Sequence, residues 1–409
     1  MSSLPQPSGS AVLDRKTLGS KFGRQIWRLN IDTLCAEAKR RTRFEDFGDP
    51  PLDPALTILV NSLELETGLH PLGRFLLLVH LRGLLETRLR LTNIWNRHAE
   101  VIAAEGIQRP IFITGMPRSG STFLHELLSA DPENRAPRAW EVMFPIADGR
   151  QSTRELNSRV RNAEFSLWCF RRLAPGADSV YPMRAWTPQE CIAIHSYTFL
   201  SEEFGTTCHV PTYKTFLHGA NLVPTYAWQK RFLQYLQLGC LHRRWVLKSP
   251  NHVYSLDKLL SVFPDALIVR THRHPIDVIK SQIELIKVLE GMFARRRDDH
   301  EIVSREVRTI QEMVDNILRF QDKCPQNSGQ FVDVNYSELV SDPIGIIQRI
   351  YNRLEISPSE RAITQIRRLS LNRSRYRRRN GQSKSTDSIL NRTVDTSRFE
   401  PYCSQFGVS

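Results

Sequence analysis

Residues 109–132, RPIFITGMPRSGSTFLHELLSADP, hold the densest chemistry in the chain. An apolar run ends in Gly115. Met-Pro-Arg-Ser follows, then Gly120, Ser121 and Thr122. Phe123, Leu124, Leu127 and Leu128 then share one side of a helical stretch that Asp131-Pro132 stops. Strand, glycine-bounded turn and helix make a cradle for phosphate. Backbone N–H groups at the helix start point at the anion, and the helix dipole favours its charge. The glycine spacing is that of a nucleotide triphosphatase loop, but Ser121 stands where that pattern has lysine. The nearest cation is Arg118, inside the loop. Triphosphate chemistry needs a lysine that reaches the β- and γ-phosphates. ATP or GTP hydrolysis is therefore disfavoured, and a helix cap without a ligand is the plain alternative.

A second stretch, 245–282, reads WVLKSPNHVYSLDKLLSVFPDALIVRTHRHPIDVIKSQ. It holds two strand exits. The first delivers Lys248, Ser249, Asn251 and His252, the second Arg270, His272, Arg273 and His274. Pro275 suits the first turn of a helix whose apolar side is Ile276, Ile279, Ile283 and Ile286, which leaves Ser281 to face elsewhere. The forked donors of Arg273 and the Ser281 hydroxyl could grip one phosphate. Alone, such a basic exit is as often solvated charge. Together the two anchors point to two separate phosphates on one nucleotide.

The elements that must position these groups are legible in outline. Four short apolar runs, 111–114, 245–248, 267–271 and 331–335, read as buried strands with helical segments between them. This predicts an α/β fold: a P-loop-like parallel sheet of about four to five strands, flanked by helices. Ligands in such sheets bind at the carboxyl ends of the strands. Residues 1–12 read as a disordered tail, 13–104 as a helical N-terminal segment packed on the core, and 105–409 as the α/β domain. In the N-terminal segment a helix over about 22–43 is separated from the next by Pro50, Pro51 and Pro54. Leu72, Phe75, Leu76, Val79, Leu81, Leu84, Leu85 and Leu89 then recur at helical spacing.

Composition bounds the rest. The 409 residues are 41% hydrophobic and 24% charged, ordinary for a globular chain. No apolar run approaches the ~20 residues that span a bilayer, and the N-terminus lacks the apolar core of a signal peptide. The seven cysteines are odd in number and form no CxxC pair, which fits reduced thiols in the cytoplasm. The net charge of +13 suits a polyanionic ligand or an acidic surface, and 361–386 alone carries eight arginines and one lysine without an acid. That patch reads either as a solvated face, as a loop closing on a nucleotide, or as a contact for membrane anions.

The two anchors together resemble the sulfotransferase superfamily: GMPRSGSTFLHELL its 5′-phosphosulfate loop, RTHRHPIDVIKS its 3′-phosphate motif. More narrowly the chain is similar to a bacterial branch of the PRSGT type, in stretches such as DPENRAPRAWE, RWVLKSPNH and VFPDA. The resemblance covers roughly residues 45–409. It implies 3′-phosphoadenosine 5′-phosphosulfate (PAPS) as donor, 3′,5′-adenosine bisphosphate (PAP) as product, and no required metal. Arg118, Ser119, Gly120, Ser121 and Thr122 would hold the 5′-phosphate and sulfuryl group, Arg273 and Ser281 the 3′-phosphate, and Tyr336 would lie near the nucleotide. The loop arginine resembles that of the tyrosylprotein type. In that type a glutamate after the loop helix is the base, and Glu141 stands at the matching place. Lys248 would assist, and His252 is the rival base. Where the family has RDP this chain has Arg273-His274-Pro275.

Sulfuryl transfer asks for a deprotonated acceptor oxygen, a fixed line of attack and stabilised charge on the oxygens. Arg118 and Lys248 are the expected electrostatic groups. The many aromatics of 150–244 suggest a small, hydrophobic hydroxyl acceptor. Each role has a plain alternative: a surface Glu141, a capping or core His252, a solvated Lys248. No nucleic-acid partner is expected, a weak peripheral membrane contact is allowed, and the oligomeric state is left open. The competing classes are a P-loop kinase or triphosphatase, a non-enzymatic binder of nucleic acid or anionic membrane, and a pseudoenzyme that binds the nucleotide without transfer.

Overall fold

The computed structural model describes residues 28–146, 152–173, 182–240, 243–295, 298–323, 329–371 and 384–408. The strands are β1 Ile111–Gly115, β2 Asn134–Arg135, β3 Arg244–Lys248, β4 Leu267–His272 and β5 Phe331–Asn335. They pair in parallel in the order β2-β3-β1-β4-β5, which settles the count at five. Four coincide with the apolar runs. β2 is two polar residues long and has no pattern for periodicity to find. Its pairing with Arg244 and Trp245 defines it.

β1 and β4 are buried at every position, as central parallel strands covered on both faces must be. Alternation sorts their side chains. Ile111 and Ile113 join Leu124, Leu127 and Leu128 of the helix Ser121–Ser129 on one face. Phe112, Leu247 and Ile268 face a larger cluster on the other. That second cluster is continuous with Leu77, Leu81, Leu85 and Leu89 of the helix Pro71–Arg97, and with Tyr197, Phe204, Tyr213, Tyr226 and Phe232.

The helix expected over 22–43 occupies Ile31–Thr42, where the Asn30 side chain caps it by accepting from the Thr33 N–H at 2.8 Å. The tail 1–12 and the stretch before residue 28 lie outside the described residues, as do 372–383 of the basic segment. The apolar stripe of Pro71–Arg97 divides. Its later leucines are buried, but Leu72, Phe75 and Val79 are exposed. The first turn docks through Gly73 instead, where an added Cβ would lie 1.9 Å from the Phe293 carbonyl oxygen. One side chain ties this helix down. Arg88, fully buried, donates to the carbonyls of Phe47, Gly48, Pro50 and Tyr197 and lies 4.9 Å from the Trp228 ring centroid.

Register brings the strand exits level. Gly115 lies beside Thr271, Ile113 beside Lys248 and His272 beside Asn335. The chain leaves β1 towards β2 and β3 and returns on the other side with β4, so the β1 and β4 exits flank the point where strand order reverses.

Candidate active site

The loop between β1 and the helix Ser121–Ser129 is shaped by two positive-φ glycines and by Arg118, itself left-handed at φ 63°. At Gly115, φ 128°, a Cβ would meet the Thr271 carbonyl oxygen at 2.3 Å. At Gly120, φ 93°, it would meet the Tyr336 ring at 2.9 Å. Neither position admits a side chain. Ser119 turns inward, donating to the Met116 carbonyl at 2.5 Å and contacting the Thr271 hydroxyl at 2.6 Å. Its hydroxyl therefore braces the loop, and what it can offer a ligand is its backbone N–H. Ser121 is buried at the start of the helix, and Thr122 beside it is half-buried.

The β4 exit meets this loop directly. Arg118 Nε donates to Ser281 Oγ at 3.0 Å, and Arg273 Nη1 donates to the Arg118 carbonyl at 3.2 Å. Arg273 also pairs with Asp277 at 3.2 Å and lies 4.4 Å from the centroid of the Tyr336 ring. Among the described residues its Nε is buried without a hydrogen-bond partner. Tyr336 thus packs on Gly120 on one side and carries Arg273 on the other. Five expected residues, Arg118, Gly120, Arg273, Ser281 and Tyr336, converge from three strand exits. His274, where the resembling family has an acid, caps the helix Pro275–Glu290: its Nδ1 accepts from the Ile276 N–H at 3.3 Å. Asp277, one turn further on, supplies an acid beside Arg273.

The β3 exit carries two further groups. Lys248 is buried and its Nζ is paired with Glu190, a residue no sequence pattern had connected to it. The two lie 58 positions apart, and only packing joins them. His252 is 1% exposed. Its Nδ1 is 2.8 Å from the Tyr226 hydroxyl, which also lies 2.9 Å from Ser255 Oγ. Among the described residues its Nε2 is buried without a hydrogen-bond partner. Burial, reinforced by His195 and Lys248, holds the imidazole pKa well below its ordinary value. It is therefore neutral near pH 7. A small cavity of about 30 Å³ adjoins this histidine; apolar Ile192, Leu200, Leu217 and Leu222 share its wall with Glu202, His218, Asn251 and Lys258. The buried Tyr254 hydroxyl is also unpartnered.

Glu141 is buried in the short helix Ala139–Met143. Both carboxylate oxygens are occupied: Arg135 donates to one at 2.8 Å and the Arg138 N–H to the other at 2.9 Å. It is a buried ion-paired cap, not a surface glutamate.

Comparison with known proteins bears on the family and the fold. The model of the sulfotransferase family matches residues 110–360. The chain is 24% identical over 308 residues to the omega-hydroxy-beta-dihydromenaquinone-9 sulfotransferase Stf3 of Mycobacterium bovis, covering 69% of this chain and 71% of the relative. Among solved structures, sulfotransferase STF1 of Mycobacterium tuberculosis superposes with TM-score 0.77 at 28% identity, over 90% of this chain and 99% of that one. Sulfotransferase STF9 of Mycobacterium avium does so with TM-score 0.80 at 24% identity, over 93% and 97%, and supports the fold.

Proposed function

The chain belongs to the sulfotransferase family, and from that premise we propose how it holds PAPS and moves its sulfuryl group to the hydroxyl of a small hydrophobic acceptor. PAPS supplies the sulfuryl group on an adenosine that also carries a 3′-phosphate. The loop N–H groups of residues 118–122, with Arg118 and the hydroxyls of Ser121 and Thr122, suit the 5′ end. Arg273 and Ser281 suit the 3′-phosphate, and Tyr336 lines the nucleotide between them. The observation that carries this reading is the bond from Arg118 Nε to Ser281 Oγ, which sets the two anion motifs side by side. The unpartnered Arg273 Nε is a donor still to be satisfied there.

For the acceptor we assign the cavity at His252. Ile192, Leu200, Leu217 and Leu222 in its mixed wall suit the carbon frame of a hydrophobic alcohol or phenol, which must widen the cavity to enter; the relative's dihydromenaquinone-type substrate is of that kind. His252 Nε2 and the Tyr254 hydroxyl, both buried without a hydrogen-bond partner among the described residues, are the polar atoms we assign to the acceptor oxygen. With Nδ1–H donating to Tyr226, and Tyr226 donating to Ser255, Nε2 keeps its lone pair and takes the acceptor proton. Glu141 is the second candidate base; to act it must first leave Arg135. Lys248, oriented by Glu190, and Arg118 stabilise the charge that gathers on the leaving and equatorial oxygens. We place the enzyme in the cytoplasm, where its thiols stay reduced.

Calorimetric titration with PAP, with ATP·Mg²⁺ and 5′-AMP as controls, tests the donor site. Tight binding of PAP alone is expected. Arg273→Ala should weaken it by about 10- to 100-fold, as for the loss of a charged hydrogen bond, and leave 5′-AMP unchanged. Preference for ATP·Mg²⁺ would return the loop to the kinase class.

A further inference from the structure

The helix Thr153–Leu173 carries five arginines against two glutamates, and its exposed face is not polar. Arg154, Arg161, Phe165, Trp168 and Arg172 follow one another three, four or seven residues apart, so they form a single stripe, and all five are exposed. Phe165 is 64% exposed and Trp168 48%. Their rings stack with centroids 6.0 Å apart, and the Arg172 guanidinium lies 5.3 Å from the Trp168 ring. The opposite side, through Ala163 and Leu167, is buried. The helix therefore packs through one face and presents an aromatic pair between arginines on the other.

We propose that this face docks on an anionic lipid bilayer and brings the acceptor cavity to its lipid-like substrate. The inference rests on the hydrophobic-acceptor reading above. An aromatic pair between cations is the surface that the headgroup region accepts: rings at the acyl boundary, guanidinium groups among the phosphates. The chain's charge of +13 favours the same partner. Among the described residues no helix is long and apolar enough to cross a membrane, so this is surface contact. Position supports it too. Arg159 of this helix lies 4.7 Å from the Trp140 ring, and Glu164 accepts from the Ala185 N–H at 2.7 Å. Trp186, 48% exposed, packs on the same Trp140 at 5.8 Å and on Arg138. Four residues further along is Glu190, the partner of Lys248. The helix therefore packs against the segment that leads to the Lys248–Glu190 pair.

Co-sedimentation of the full chain with phosphatidylglycerol–phosphatidylcholine vesicles, and with phosphatidylcholine alone, tests the proposal. Binding to the anionic vesicles is expected. Phe165→Ser/Trp168→Ser and Arg161→Glu/Arg172→Glu should each lower it about tenfold or more. Melting temperature and PAP affinity should be unchanged in both, which shows that fold and donor site are intact. Substituting Arg377, Arg378 and Arg379 by glutamate should have the smaller effect. The proposal is overturned if the helix variants bind as the parent does, if neutral vesicles bind equally well, or if the 377–379 variant alone abolishes binding. It is also overturned if light scattering shows that Phe165→Ser/Trp168→Ser converts a dimer to a monomer, because the stripe would then meet a second copy. Transfer to a water-soluble phenol needs no vesicle, so its failure would strike the functional reading and not this one.

Discussion

His252 and Glu141 compete for one role, and their surroundings separate them. A base needs a free lone pair within reach of the acceptor proton. Both Glu141 oxygens are held by donors, whereas His252 Nε2 is buried without any. His252→Gln should lower kcat by about 100-fold or more, the usual range for losing a positioned general base. Glu141→Gln should instead lower stability by about 3 kcal/mol, as expected for breaking a buried ion pair, and leave kcat within a few-fold. Urea unfolding and initial rates on the two variants distinguish these outcomes, and the reverse pattern would return the base to Glu141. Lys248 was identifiable as a strand-exit cation, but its partner was not, because Glu190 comes to it only through packing.

At the level of elements, the β1 loop illustrates how backbone and packing share one constraint. Gly120 is left-handed and also lies against Tyr336. Gly120→Ala adds a strain of about 1–2 kcal/mol from its positive φ and displaces the ring that supports Arg273. PAP affinity should fall at least tenfold while the far-UV spectrum is unchanged. Unaltered PAP binding would mean that Tyr336 has room to withdraw. β4 and β5 are joined by an ion-pair network of the same reach. Asp333 accepts from Arg270 and His272, each at 2.8 Å, and His272 Nδ1 is 2.8 Å from the Tyr402 hydroxyl. Burial alone would raise the Asp333 pKa, but the hydrogen bonds from His272 and Arg270 outweigh it and hold it at about 2. The C-terminal helix Glu400–Phe406 is thereby fastened beside Arg273.

At the scale of the whole molecule, four histidines among the described residues, 125, 195, 252 and 272, are buried, and burial lowers the pKa of each. His195 stands at about 4 and His125 at about 3. In the unfolded chain each takes a proton near pH 6.5. The stability they contribute is therefore complete above pH 6.5 and declines as pH falls towards the folded values. His195 alone should account for about 2 kcal/mol of loss by pH 5. Melting temperature followed from pH 8 to pH 5 should be level at first and then fall below about pH 6.5; a level curve throughout would mean that these imidazoles are protonated in the folded state. Arg88 meets the opposite demand. Burial lowers its pKa to about 10, so it stays charged, and four backbone carbonyls receive it. That arrangement binds the N-terminal helices to the segment around Tyr197.

Local sequence determined what local physics controls. β1 is a continuous apolar run, β3 and β4 carry apolar cores, β5 alternates buried Val332 and Val334 with exposed Asp333, the loop is marked by its glycines, and Pro275 starts the helix that delivers Ser281. Both expected anion motifs are contiguous stretches of sequence. β2 was not legible because two polar residues carry no period, and the exposed Leu72, Phe75 and Val79 were not, because Gly73 rather than the apolar stripe makes the first docking contact. Tertiary structure alone decided which donors and acceptors are already satisfied. It closed Glu141 with Arg135, left His252 Nε2 open, paired Lys248 with Glu190 and turned Phe165 and Trp168 to the surface. Spacing along a chain identifies groups capable of chemistry, whereas the hydrogen bonds and burial that make them available or unavailable come from segments far away in sequence.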